Sequence, residues 1–250
     1  IEDSSFNSYM EGIYNVMIDS IDRGLNTTGV LPGRLEIKRK ANYLYYQNYN
    51  DENEVEKLRR YAVSYAYSVS EENASGGLIV TAPTCGASGV LPAVLKYSLD
   101  LNKYTHKEII DALKVSGLIG NLVKKNGSIS GAEAGCQAEV GTACSMAAAY
   151  LCYLDGGSLE RISSAAEIAL EHHLGLTCDP IEGYVQIPCI ERNAVAALRS
   201  IDAAKLSGYL NNADSKISFD LVVETMLDTG KDLLYQYRET SQGGLAKNYK

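Results

Sequence analysis

The sequence predicts an all-α fold, a compact multi-helix domain in which glycine-rich loops converge around a buried central helix. Apolar residues recur at steps of three and four over most of the 250 residues, which is the period of an amphipathic helix. Glycine pairs and prolines separate these runs, and strand-like alternation is too brief to predict a sheet. The length is sufficient for one large core, and we expect residues 1–250 to form a single domain.

Two amphipathic helices are predicted in the N-terminal third. Apolar residues share one face over 8–23, from Met10 to Ile21, and Gly24 ends that run. A glycine- and proline-containing loop follows. The next apolar face covers 54–70 and predicts the second helix.

Two further helices follow a segment of small residues. Residues 81–89 form a small-residue turn that leads into a helix over 91–99. Thr105 and Glu108 have the spacing of a capping box, in which each side chain accepts a hydrogen bond from the other residue's backbone N–H. This box predicts the start of a helix that continues to residue 123.

The central helix is predicted over 132–154. Alanine, glycine, cysteine and methionine dominate this segment, and few charges occur after Glu139. A helix that is apolar on all sides is typical of a buried position. We therefore expect this helix to lie in the middle of the core.

Three helices complete the prediction. Ser158 begins a helix that continues to 172, with an acidic residue in its first turn. The segment 175–188 is irregular because it holds two glycines and two prolines. The last helices are predicted over 191–206 and 219–227, before a polar tail.

Composition excludes two classes of partner. The formal net charge of -8 leaves no basic surplus to neutralise phosphates, so neither nucleic acid nor an anionic membrane is expected as the main partner. No apolar run is long enough to span a membrane, and the acidic N-terminal residues do not resemble a signal peptide. We expect a cytoplasmic protein and interpret the missing initial methionine as a sign of a fragment or a processed subunit.

Three of the six cysteines are candidate metal ligands. Cys136 and Cys189 lie near predicted helix starts, and Cys178 lies in a loop beside a proline. The partial positive charge of a helix N-terminus lowers the pKa of a thiol, and thiolates are the ligands of iron–sulfur clusters. Loops that converge on a helix start are a suitable framework for such a cluster.

Other interpretations of the cysteines stay open on the residues alone. Buried structural thiols are the simpler explanation, and zinc with His172 or His173 as a fourth ligand is a further alternative. Cys144 lies eight residues after Cys136, about 12 Å along a continuous helix, which is too far for one compact cluster. We predict that Cys144 and Cys152 fill the core.

Three segments carry a specific resemblance to a known family. Residues 81–95, 128–149 and 175–194 resemble the α chain of iron–sulfur-dependent L-serine dehydratases, and the likeness covers nearly the whole chain. The resemblance implies an all-helical domain with a 4Fe–4S cluster held by Cys136, Cys178 and Cys189. It also implies that one iron stays open as a Lewis acid, and that L-serine is dehydrated and deaminated to pyruvate and ammonia.

The small-residue turn is the segment that the resemblance implies for substrate binding, through Thr81, Thr84, Cys85 and Gly86. Its backbone amides would be able to approach a carboxylate, although an ordinary helix-starting turn explains the segment equally well. Cys85 stands where the family commonly has asparagine, so a thiol replaces an amide donor. This difference leaves room for an L-cysteine desulfidase-like lyase of the same superfamily.

Several polar side chains stand close to the three cysteines in sequence. Glu133, Glu191, Arg192 and Asn193 are candidates to hydrogen-bond the ligands, and Glu139 is a further candidate. The glutamates are also suited to helix starts, where a negative charge complements the helix dipole. We favour this second interpretation for the glutamates.

The resemblance also implies a partner. The complete enzyme of this family has a β portion with a Ser-Ser-His motif that does not occur here. The general base is therefore expected on a separate β subunit, in a heterodimer or a higher oligomer. A non-enzymatic helical domain stabilised by zinc or a cluster is the remaining alternative.

Overall fold

The computed structural model describes residues 4–210 and 215–250 and confirms the all-α prediction. In the described residues, β-structure is limited to isolated bridges between Val30 and Lys38 and between Cys178 and Arg238. The α-helices are α1 (Ser4–Leu25), α2 (Ala41–Tyr46), α3 (Glu54–Ala74), α4 (Val90–Asp100), α5 (His106–Asn126), α6 (Gly131–Ala134), α7 (Thr142–Leu154), α8 (Leu159–Glu171), α9 (Cys189–Tyr209), α10 (Phe219–Asp232) and α11 (Gly244–Asn248). No helix in these ranges is long and apolar enough to cross a membrane.

Helix α7 is the buried central helix, as predicted. Every residue from Thr142 to Cys152 is buried, and α5, α8 and α9 pack around it. Alanine dominates this stretch, so the neighbouring helices approach closely and exclude water from all sides. This packing forms the middle of one hydrophobic core that extends from α1 to α10.

The prediction of one continuous helix over 132–154 is wrong. Helix α6 ends at Ala134, Gly135 adopts a positive φ of 74°, and a π-helical turn over Gln137–Gly141 precedes α7. A Cβ at position 135 would lie 2.8 Å from the Leu176 carbonyl oxygen. Glycine is therefore required both for the backbone conformation and for this close approach.

The predicted helix starts are confirmed where side chains cap them. The side chains of Thr105 and Glu108 form the expected capping box, and Asn53 and Glu56 form another at the start of α3. Ser158 accepts a hydrogen bond from the Arg161 backbone N–H. These side chains satisfy backbone N–H groups that have no partner inside the helix.

Two helices are absent from the sequence prediction. The buried Glu71 carboxylate of α3 accepts hydrogen bonds from the backbone N–H groups of Lys40, at 2.6 Å, and of Ala41, at 3.3 Å, and so caps α2. Helix α11 lies in the segment that was expected to be a polar tail. Both depend on contacts with distant parts of the chain, which local sequence patterns do not reveal.

Gly24 does not end α1 but allows it to pack closely against α3. A Cβ at this position would lie 2.6 Å from Ser68 Cβ and closer still to the Ser68 carbonyl oxygen. Gly12, in the same helix, is exposed, and a Cβ added there would have no other heavy atom within 4 Å. The two glycines of α1 therefore differ in whether a methyl group can be accommodated.

Alanine substitutions at these two positions test the helix contact. We expect Gly24→Ala to lower the free energy of unfolding by about 1–3 kcal/mol, because the added methyl group would overlap with α3. The matched Gly12→Ala is expected to raise the free energy of unfolding by about 0.5–1 kcal/mol, because alanine favours the helix. Urea denaturation checks both, and equal effects of the two substitutions would contradict this account.

Glu71 gives the fold a pH dependence. Burial raises the pKa of its carboxyl from 4.5 to about 7, so the folded chain binds this proton more tightly than the unfolded chain does. The Glu71 contribution to stability is therefore largest below pH 4.5 and is lost as the pH rises to 7. We expect Glu71→Gln to gain stability relative to the wild type over this range, on the order of 3 kcal/mol. Denaturation midpoints at several pH values measure this difference, and a constant difference would show that Glu71 does not titrate in this way.

Candidate metal centre

Four of the six cysteines line one cavity of about 590 Å³. Cys136, Cys178 and Cys189 are buried, and Cys85 is exposed at the same cavity. The other lining residues are Thr84, Gly86, Ile129, Ser130, Gly131, Glu139, Pro180, Gly183, Val185 and Glu239. The cavity therefore combines thiols, one largely buried carboxylate and small residues at its wall.

Cys136 is positioned by the break between α6 and α7. It directly follows Gly135, and the backbone N–H of Gln137 donates to the Leu176 carbonyl oxygen at 3.2 Å. This bond joins the start of the π-helical turn to the loop that carries Cys178. The deviation from a straight helix thus brings two thiols together.

Cys178 is held by the C-terminal segment of the chain. Its backbone N–H donates to the Tyr237 carbonyl oxygen at 2.8 Å, and its carbonyl oxygen accepts from the Glu239 N–H at 2.7 Å. The neighbouring Asp179 is buried and accepts a hydrogen bond from the Leu245 N–H at 2.5 Å. Bonds on both sides leave the backbone at Cys178 little freedom.

Cys189 is the first residue of α9, and Asn193 connects it to the small-residue turn. The buried Asn193 amide donates to the carbonyl oxygens of Gly86, at 2.7 Å, and of Cys189, at 2.8 Å. Its Oδ1 accepts from the Gly89 N–H at 2.9 Å. One side chain therefore joins two walls of the cavity.

The thiols have different affinities for their protons. A hydrogen bond from the Cys178 thiol lowers the pKa of Cys136, and the positive charge of Arg192 acts in the same direction. The same hydrogen bond, with burial, raises the pKa of Cys178. Burial raises the pKa of Cys189 to about 12. Cys136 is therefore the thiol that ionises most readily of these three.

Glu139 is the largely buried carboxylate of the cavity. Its Oε1 accepts a hydrogen bond from Thr84 Oγ1 at 2.7 Å, and its Oε2 lies 3.9 Å from Cys178 Sγ. One ligand atom each of Cys136, Glu139 and Cys178 lies within 4.8 Å of the others. Burial raises the pKa of Glu139. The sequence signal for this residue is its position one helical turn after Cys136.

The structure brings together some of the residues proposed for substrate binding. Thr84, Cys85 and Gly86 line the cavity with the three cysteines. Thr81 lies instead at a separate cavity between α1 and α5. Residues 85–87 form a single 3₁₀ turn that leads into α4, so the small-residue segment is both a helix-starting turn and a wall of the cavity.

Of the polar residues that neighbour the cysteines in sequence, some contact the segments that hold the thiols and others do not. Arg192 donates to the Thr177 carbonyl oxygen at 2.6 Å and lies 3.6 Å from an Asp179 oxygen, so it supports the Cys178 loop. Glu133 is exposed and accepts a hydrogen bond from Ser128. Glu191 is exposed and lines a different cavity.

The zinc alternative with a histidine ligand does not match this geometry. His172 and His173 line the same separate cavity as Glu191. The Nδ1 atoms of these histidines each lie within hydrogen-bond distance of a backbone carbonyl oxygen one turn earlier in α8. Among the described residues, the group of mutually close ligand atoms around Cys136 contains no histidine.

Cys144 and Cys152 are core residues, as predicted. Both are buried, and Cys144 donates to the Ala196 carbonyl oxygen at 3.4 Å. Burial raises the pKa of Cys144 to about 12. Neither residue lines the cavity that contains the other four cysteines.

Comparison with known proteins gives one consistent family. A family profile described as "Serine dehydratase alpha chain" matches residues 2–246. L-serine dehydratase TdcG of Escherichia coli (strain K12) is 51% identical over 238 residues, which are 94% of this chain and 52% of that protein. The L-serine dehydratase of Haemophilus influenzae (strain ATCC 51907 / DSM 11121 / KW20 / Rd) is 48% identical over 243 residues, 96% of this chain and 53% of that protein. The chain thus spans about half the length of these curated relatives.

Asn193 provides a test of the cavity framework. We expect Asn193→Ala to lower the free energy of unfolding by about 2–3 kcal/mol, because it leaves the buried Gly89 N–H and the Gly86 and Cys189 carbonyl oxygens without this partner. The control is Asn121→Ala on the exposed face of α5, which is expected to change stability by about 0.5 kcal/mol or less. Chemical denaturation measures both, and a stability of Asn193→Ala equal to that of the control would contradict the proposed connection.

Proposed function

Because this chain belongs to the serine dehydratase alpha chain family, we propose that it is the cofactor-binding part of an L-serine ammonia-lyase that converts L-serine to pyruvate and ammonia. The observation that carries this proposal is the convergence of Cys136, Cys178 and Cys189 on one cavity from three separate elements. The names of the relatives, which are L-serine dehydratases, support the same substrate.

The proposed cofactor is a 4Fe–4S cluster held by Cys136, Cys178 and Cys189. The residues fit such a group because the three thiols are buried at one cavity, and the Arg192 guanidinium lowers the energy of negative charge at Cys136. Thiolates are the protein ligands that iron–sulfur clusters require. Three ligands for four irons leave one position without a protein thiolate, as in catalytic metal sites that keep an open coordination position.

When bound, the cluster would supply a Lewis acid for the departing hydroxyl group of serine. The protein residues would position the substrate and restrict water. Gly86 and Gly131 border the Glu139 carboxylate so closely that a Cβ would lie 3.3 Å and 2.7 Å from its oxygens. The absence of side chains here leaves space at the cavity wall for a small amino acid. Thr84 and Cys85 offer polar atoms at the same wall.

Glu139 and Thr84 would form the polar boundary of the substrate position. The hydrogen bond from Thr84 orients the carboxylate, and burial raises the pKa of Glu139. Whenever this carboxyl group holds a proton, it donates a hydrogen bond and repels a substrate carboxylate less than the ionised form does. This arrangement suits a substrate that carries both a carboxylate and a hydroxyl group, such as L-serine.

The rest of the active site is proposed to come from a β portion. This chain corresponds to 52–54% of the length of its curated relatives, so about half of each relative has no counterpart in these residues. The reaction needs a base that removes the α-proton of serine while the β-hydroxyl leaves. The resulting aminoacrylate tautomerises to an imine that water hydrolyses to pyruvate and ammonia. We assign this base to the β portion, in a heterodimer or a higher oligomer.

Iron loading of cysteine variants tests this proposal. We expect anaerobic reconstitution of the wild type to give about four irons and four acid-labile sulfides per chain. Cys136→Ser, Cys178→Ser and Cys189→Ser should each lose this loading, because each removes one thiolate ligand. Cys144→Ser is the matched control and should load like the wild type, since Cys144 lies in the core away from the cavity.

The activity assay follows on the loaded chain combined with its β portion. Pyruvate should form from L-serine, and exposure to air should abolish the reaction as iron is lost. Iron loading that is indifferent to the three cysteines would refute the ligand assignment. Faster sulfide release from L-cysteine than pyruvate release from L-serine would instead support the desulfidase alternative.

A further inference from the structure

We infer that the cluster-free chain binds one zinc ion through Cys136, Glu139 and Cys178. This inference goes beyond the proposed function and concerns a second, competing occupant of the same cavity. It differs from the cluster proposal in its ligands, because Glu139 takes part and Cys189 does not.

The spacing of the ligand atoms suits a single ion. One ligand atom from each of the three residues lies within 4.8 Å of the other two, and Cys178 Sγ lies 3.9 Å from Glu139 Oε2. Zinc binds thiolate sulfur at about 2.3 Å and carboxylate oxygen at about 2.0–2.2 Å, so its tetrahedral ligands are roughly 3.5–3.8 Å apart. Only small side-chain movements are needed to close around one ion.

The three ligands are already oriented toward one another. Thr84 holds the Glu139 carboxylate, and hydrogen bonds on both sides fix the backbone of Cys178. At Gly131, a Cβ would lie 2.7 Å from Glu139 Oε2 and 3.4 Å from Cys178 Sγ. Glycine at this position therefore keeps the space beside both ligands free of a side chain. Such a preformed arrangement reduces the entropy cost of ion binding.

The donor atoms also suit zinc, because thiolate sulfur and carboxylate oxygen are both ligands that zinc commonly takes in proteins. Zinc would displace to solvent the protons that remain on Cys136, Cys178 and Glu139, so that two thiolates and one carboxylate bind the ion. The fourth position would face the cavity, where a water molecule can complete the tetrahedron. Cys189 is not in the compact group of ligand atoms found among the described residues, so zinc binding does not need it.

A zinc titration of the chelator-treated, reduced chain tests this inference against a chromogenic competitor. We expect one zinc per wild-type chain. Glu139→Gln should weaken zinc binding by about 10-fold or more, and Cys136→Ser and Cys178→Ser by more than that. Cys189→Ser and the core control Cys144→Ser should bind within about threefold of the wild type.

Iron–sulfide reconstitution should give the opposite pattern for the Glu139 and Cys189 variants, which separates this inference from the proposed function. Glu139→Gln should still load iron, whereas Cys189→Ser should not. Zinc binding that needs Cys189 and ignores Glu139 would overturn the inference. Failure of every variant and the wild type to load iron would refute the cluster proposal, while the zinc result would still stand or fall by itself.

Thr84→Val provides a second variant in case Glu139→Gln disturbs folding. It removes only the hydrogen bond that orients Glu139, and we expect a loss of zinc affinity of several fold. X-ray absorption at the zinc edge should show two sulfur ligands with oxygen or nitrogen ligands. Three sulfur ligands would contradict the assignment.

Discussion

The buried amide of Asn193 connects the elements on which the cavity depends. It satisfies three backbone groups, the Gly89 N–H and the carbonyl oxygens of Gly86 and Cys189, which lie on segments about 100 residues apart. Each of these groups would carry a desolvation penalty if it were buried without a partner. The positions of the small-residue turn and of the α9 start are therefore coupled. The wall that holds Cys189 and the wall formed by the small-residue turn therefore keep one fixed separation.

The electrostatics of the cavity follow from a second set of contacts. Arg192 contacts the Cys178 loop, lies near the Asp179 carboxylate and lowers the pKa of Cys136. Because Asp179 also binds the Leu245 N–H, the negative charge that faces Arg192 belongs to the framework and not to the cavity. The positive charge is thus held beside the thiols by residues that do not themselves line the space. Such indirect support is typical of metal sites, in which residues that do not bind the metal orient its ligands and change their basicity.

Local sequence patterns were sufficient to predict most of the helices and part of the candidate site. Side-chain caps such as Thr105 predicted helix starts correctly, since capping is a local interaction. The sequence did not predict caps that come from distant parts of the chain. Helix α2 is the clearest case, because its cap is the side chain of Glu71 in α3. The break at Gly135 was also missed, since glycine between helix-forming residues is compatible with a helix until Leu176 approaches it. Similarly, Glu133 and Glu139 each lie three residues from Cys136, so this spacing alone does not distinguish them, and the packing determines which carboxylate faces the thiols.

The bridge between Cys178 and the segment around Tyr237 has a consequence for the order of assembly. The loop that carries Cys178 is held by hydrogen bonds from residues 237–245, in addition to the bond between Gln137 and Leu176 that joins it to the Cys136 segment. A chain synthesised from its N-terminus exposes both thiols before that segment exists. Contacts of high sequence separation form late, because loop closure costs entropy before the contacts offset it. The wall of the cavity that carries Cys178 is therefore completed only when residues 237–245 have docked onto it.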